Sequence, residues 1–184
     1  MRSIFEENDV ICAEVRGFQH DGSLHLQARS QKYGKLERGQ LLTVPSYLVK
    51  RRKLHLHHIE QYRIDLILGC NGFVWVGEHV GTKDDMVVDQ SSKSNAKSTR
   101  YPTSLKEQER SYTPLETRQN ICRTANAVRV LSTLGLSINV EVITEKVNLS
   151  SSLNLDTHEM LGLEFFVLVA EVEAARRSLK KKKG

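Results

Sequence analysis

Cysteine is scarce in this sequence. Cys12, Cys70 and Cys122 stand far apart, and no C-x-x-C pair occurs. That usage argues against a disulfide framework and a zinc finger, and it points to a reducing compartment, cytosol or nucleus. Long apolar runs are missing: none approaches the roughly 18 residues of a membrane span, so no membrane partner is expected. The opening MRSIFEENDV has no long apolar core of the kind a secretory signal carries. Signatures of chemistry are missing too, with no Walker loop, G-x-G-x-x-G, G-x-S-x-G or H-E-x-x-H. Paired carboxylates occur at Asp84-Asp85, inside a polar stretch, and Glu6-Glu7 and Asp9 lie near residue 1. Preorganisation would be poor at both places. The expectation is a chain that is not an enzyme and takes no cofactor.

What is present is cationic. The 184 residues carry a formal net charge of +5, enough chain for one ordinary domain or two small ones. A basic balance suits an anionic partner, nucleic acid most often.

Along the chain, residues 9–29 read as a hairpin. Ile11, Ala13 and Val15 alternate on one arm and Leu24, Leu26 and Ala28 on the other, with Asp21-Gly22 as the turn signal. Two strands do not make a stable sheet alone, so this hairpin wants partners. Residues 34–50 read as a connector with a short strand around Leu41–Val44. The run Lys50-Arg51-Arg52-Lys53 follows, then Leu54 and Leu56 alternating with His55 and His57 as in an exposed strand. Two apolar strands flank Gly69-Cys70-Asn71-Gly72. Residues 83–112 are rich in Ser, Lys, Asp and Gln and read as a surface insertion. Thr113-Pro114-Leu115-Glu116 predicts a capped helix start, Ile121, Ala125, Val128 and Leu131 its apolar stripe, and Gly135 its C-terminal cap. Ile138, Val140 and Val142 predict a strand. Asp156, with Glu159 three residues on, predicts a last helix with a stripe of Leu161, Phe165, Leu168, Val172, Ala175 and Leu179. The fold class is α+β.

Four clusters compete for a functional role. Lys50, Arg51, Arg52 and Lys53 offer sequence-independent phosphate contacts. His55, His57 and His58 invite a metal, but no third ligand or acidic support is evident nearby, so no metal is expected. Trp75 in FVWV reads as a buried strand residue rather than a platform for bases. The spacing G-x-x-G at Gly69–Gly72 is that of a nucleic-acid backbone clamp. Cys70-Asn71 between the glycines are not basic, however, and a β-rich segment follows. The expectation is a structural turn, with Gly72 at positive φ and the Asn71 side chain satisfying nearby backbone groups.

The segments DVICAEVRGFQHDGSLHLQARSQKYGKL, VPSYLVKRRKLHLHH and LILGCNGFVWVG resemble, in that order, the S1/KH cap subunits of the eukaryotic RNA exosome. The run R-S-x-K-Y-G-K-L at Arg29–Leu36 and G-x-N-G at Gly69–Gly72 carry the resemblance. It implies a partial S1-type OB β-barrel remnant followed by a KH domain. The expected division is 1–44 for the barrel part, 45–62 for a basic connector, 63–179 for the KH domain with the insertion 83–112, and 180–184 for a basic tail. Only the last part of the barrel is expected here, without the OB strands that usually bind oligonucleotides. The resemblance implies a non-catalytic cap that contacts RNA, RNase-PH-like ring subunits and other cap subunits. It would support 3′-to-5′ RNA processing, ribosomal RNA maturation included, in nucleus, nucleolus and cytoplasm. Arg29 and Lys32 would be further RNA contacts in the barrel part. A free-standing KH-type RNA-binding regulator is the other reading the residues allow.

Overall fold

The computed structural model describes residues 5–27, 33–79 and 112–181. Arg29, Lys32, nearly all of the expected insertion at 83–112 and the last three residues of the basic tail lie outside the described residues.

The N-terminal part forms two small antiparallel pairs. In the first, β1 (Ile11–Cys12) pairs with β4 (Gly34–Lys35); in the second, β2 (Glu14–Phe18) pairs with β3 (Leu24–Gln27). The hairpin turn is built as Asp-Gly turns are. Gly22 sits at φ +82, and the Asp21 carboxylate accepts from the Ser23 amide at 2.9 Å and its hydroxyl at 2.7 Å. The apolar side chains of this hairpin, Val15, Phe18, Leu24 and Leu26, are all exposed.

The main sheet has four antiparallel strands in the order β5-β8-β7-β6: β5 (Gly39–Thr43), β6 (Leu56–Ile59), β7 (Ile64–Leu68) and β8 (Phe73–Glu78). The divisions expected at residues 44 and 62 therefore fall inside one unit, because β5 and β6 pair with β8 and β7. The physical reason is alternation: Leu42, Ile59, Leu66, Leu68, Val74 and Val76 all turn to one face and are buried there.

That face is covered by α1 (Leu115–Thr133), whose Ile121, Ala125, Val128 and Leu131 belong to the same core. Burying a side chain the size of Ile121, Val128 or Leu131 stabilises by about 1.5–3 kcal/mol, so this contact, not the exposed hairpin, holds the fold. The helix begins one residue later than expected. Pro114 is the N-cap, and the Thr113 hydroxyl donates to Glu78 at 2.7 Å, tying the helix start to the end of β8. Gly135, at φ +64, ends it, with the Leu136 amide donating back to Leu131.

The strand expected over Ile138–Val142 is instead the start of α2 (Val140–Ser152). Asn139 caps this helix, its side chain accepting from the Val142 amide at 2.9 Å. Of Ile138, Val140 and Val142, only Ile138 pairs as a strand residue does, in a single parallel bridge to Val49. The last helix is also displaced. Glu159 does accept from the Asp156 amide, at 2.6 Å, but the turn at Glu159–Leu161 is a short 3-10 segment that stops at Gly162. The long helix, α3, is Leu163–Lys181. Its buried stripe is Phe165, Val169 and Glu173, with Leu168 and Val172 at the flanks, rather than the stripe expected from apolar residues alone.

The buried Glu173 has a reason. Lys146 of α2 is completely buried and places its ammonium 2.9 Å from the Glu173 carboxylate. Burial pushes the Glu173 pKa up, but the hydrogen bond and charge of Lys146, helped by Arg176, outweigh it and hold the carboxyl below its ordinary value.

Candidate nucleic-acid interface

The run Lys50–Lys53 leaves the core at a fixed point. Leu48 and Val49 are buried, and Val49 bridges Ile138. The Ile138 amide donates to Leu48 at 2.8 Å and the Lys50 amide donates to Ile138 at 3.2 Å. These bonds tie the start of the run to Ile138, two residues before α2, and Arg52 reaches Glu141 in the first turn of that helix. All four side chains are exposed.

They are not equivalent. Arg52 is engaged with Glu141 in a two-pronged pair, with N···O distances of 2.5 and 3.0 Å. The helix-start amide of Glu141 itself, followed by Arg52, keeps this carboxyl below its usual range. Arg52 thus spends its guanidinium on a protein carboxylate. Lys50, Arg51 and Lys53 remain as the cations of the run whose side chains make no hydrogen bond or ion pair seen among the described residues, and they are the ones free to meet phosphates.

The Gly69–Gly72 segment joins β7 to β8 as a tight reversal. The Gly69 amide donates to Phe73 at 2.9 Å, the Gly72 amide donates to Gly69 at 3.0 Å, and the Asn71 side chain accepts from the Phe73 amide at 3.2 Å. Gly72 lies at φ +90 and is buried; its carbonyl accepts from the Val44 amide at 2.8 Å. A Cβ at Gly72 would land on the Val44 carbonyl oxygen and 3.3 Å from the Ser46 nitrogen. The turn is thereby packed against the segment after β5, some way in sequence before the basic run. Cys70 and Asn71 are exposed at its tip, and no cation lies within it. Trp75 is buried, 8% exposed, on the sheet face opposite α1.

The histidines are arranged differently from the expectation. His55 places Nδ1 at 3.0 Å from the Leu68 carbonyl, and burial lowers the pKa of His57. His58 turns away from both and meets Asp65 and His79. Asp65 is seven residues on and His79 lies beyond the next strand. Neither is near His58 in sequence, and only the strand register brings them together. The one signal that pointed to them was the alternation of β6, which separates His58 from His57.

Comparison with known proteins agrees with this architecture. A KH-domain family model matches residues 39–81, from the start of β5 to just past β8. The chain is 61% identical over 183 residues to an "Exosome complex component RRP4 homolog" of Arabidopsis thaliana, covering 100% of this chain and 56% of that protein. It is 34% identical over 164 residues to "Exosome complex component RRP4" of Saccharomyces cerevisiae, covering 78% and 45% of the two chains. It is 35% identical over 144 residues to "Exosome complex component rrp4" of Schizosaccharomyces pombe, covering 78% and 42%. The chain spans about half the length of the curated relatives it matches.

Proposed function

The chain is homologous to the RRP4 exosome components, and from that premise we propose that it is a non-catalytic, RNA-contacting cap subunit of the exosome. Its role is to guide RNA and hold neighbouring subunits while cleavage takes place elsewhere, in 3′-to-5′ processing and degradation that includes ribosomal RNA maturation. Its partners are RNA, the RNase-PH-like ring subunits and the other cap subunits, and its place is nucleus, nucleolus and cytoplasm. The observation that supports the RNA contact is the exposure of Lys50, Arg51 and Lys53 directly after the backbone bonds that tie Leu48 and Lys50 to Ile138. The Gly69–Gly72 turn serves the fold, because its amides and carbonyls are used within β7, β8 and the segment after β5.

The test is the salt dependence of single-stranded RNA binding by the whole chain. Each phosphate neutralised contributes about 0.7 to the slope of log affinity against log salt. Replacing Lys50, Arg51 and Lys53 together by Ala should make that slope shallower by about 2. Arg52→Ala should change it far less, because Arg52 is committed to Glu141. An unchanged slope in the triple variant would move the RNA contact off this surface.

A further inference from the structure

On the sheet face away from α1, three side chains converge from three neighbouring backbone segments. His58 of β6 stands directly opposite Asp65 of β7. His79 follows β8, and its amide donates to Arg63, just before β7, at 3.1 Å. The His58 Nδ1 is 2.9 Å from one Asp65 oxygen; the His79 Nδ1 is 2.9 Å from the same oxygen and 3.0 Å from the other. The two imidazoles stack, with centroids 3.7 Å apart and planes tilted by 38°. The three donor atoms all lie within 4.8 Å of one another.

We propose that His58, Asp65 and His79 form a binding site for a divalent transition-metal ion, zinc by the chemistry of its donors. Two imidazole nitrogens and one carboxylate oxygen are a donor set that zinc takes, at about 2.0–2.2 Å per bond. Tetrahedral angles at those lengths put neighbouring donors about 3.4 Å apart. Each imidazole therefore needs to draw back from the shared Asp65 oxygen by only about half an ångström to admit the ion. The proton change is small as well. A neutral histidine has only to move its proton from Nδ1 to Nε2, which frees the Nδ1 lone pair for the metal. The side chains are between a quarter and a third exposed, so a water can supply the fourth ligand. Strand pairing fixes His58 against Asp65, and the bond to Arg63 fixes the backbone of His79. An ion here clips β6, β7 and the end of β8 together.

A rival lies nearby in sequence, where the Cys70 sulfur is 3.9 Å from the His55 ring and exposed. The experiment distinguishes the two. The untagged 184-residue chain, stripped by a chelator, is titrated with zinc and separately with cobalt, alongside His58→Gln, Asp65→Asn, His79→Gln and Cys70→Ser. Melting of each metal-free variant checks that it folds. The expected result is one zinc per wild-type chain and a zinc-dependent rise in melting temperature. Each of the three triad variants should bind at least about tenfold more weakly, since even indirect supports of a metal are worth that much. Cys70→Ser should bind as wild type, and the cobalt form should show ligand-field bands without a thiolate charge-transfer band. Absence of saturable binding by the wild-type chain, zinc binding that survives all three triad changes, or a thiolate band would each overturn the proposal. The first of these is read on the native chain alone and does not depend on any variant folding.

Discussion

Lys146→Ala should destabilise the chain by about 3 kcal/mol, toward the lower end of what breaking a buried ion pair costs, because Arg176 still faces Glu173 at 3.3 Å. For a domain of this size that lowers the melting temperature by roughly 6–12 °C. The loss comes less from the attraction itself than from the Glu173 carboxylate left buried without its main cation. Lys146→Met combined with Glu173→Leu should therefore recover most of the stability, since nothing charged remains to desolvate. The effect has a defined pH dependence. The folded Glu173 is held below its ordinary pKa, so the stability it lends is complete above the ordinary carboxylate range. It is lost as pH falls through the depressed folded value. Wild type should weaken into acid on this account, and Lys146→Ala should show a flatter acid limb. Thermal melts at several pH values measure both. A loss under about 1 kcal/mol at neutral pH would mean that the pair is not closed in solution.

Gly72→Ala should be nearly as damaging, and in a way that separates fold from RNA contact. Positive φ costs a residue with a Cβ about 1–2 kcal/mol. The new methyl also meets backbone atoms of Val44 and Ser46, which cannot swing aside as a side-chain tip can, and overpacking of that kind adds about 1–3 kcal/mol. The expected total is about 2–5 kcal/mol. Asn71→Ala should cost less, about 0.5–1.5 kcal/mol, because its bond to the Phe73 amide is exposed. RNA affinity per folded molecule should be unchanged in both. Wild-type stability together with a tenfold fall in RNA affinity would show that the turn is a clamp after all.

These two sites differ in how well the sequence announced them. The turn was legible: LIL enters it, FVWV leaves it, and Gly-Cys-Asn-Gly contains the residues a reversal uses. Helix α1 was legible from its three- and four-residue spacing and from Gly135. The start of α2 was not, because Ile138, Val140 and Val142 alternate as well as any strand. What decides it is Asn139, a strong N-cap between two β-branched residues, and a burial pattern over Val142, Ile143, Lys146, Val147 and Ser150 that repeats as a helix does. That pattern was hidden because one of its members is a lysine. The same disguise moved the stripe of α3, where a glutamate occupies a buried position. Charged residues in a core are visible only once their partners are known. The His58, Asp65 and His79 cluster escaped for a related reason, since strand register and not spacing along the chain assembles it.

The relatives name an assembly, and the proposal that this chain joins it and contacts RNA through Lys50, Arg51 and Lys53 stands on that kinship. The most direct test is native mass spectrometry of the full chain affinity-purified from cells. The account predicts stoichiometric masses of identified exosome ring subunits bound to it, with no ribonuclease activity from the chain once it is separated. Recovery of the chain alone, or with RNA and no exosome subunit, would contradict it.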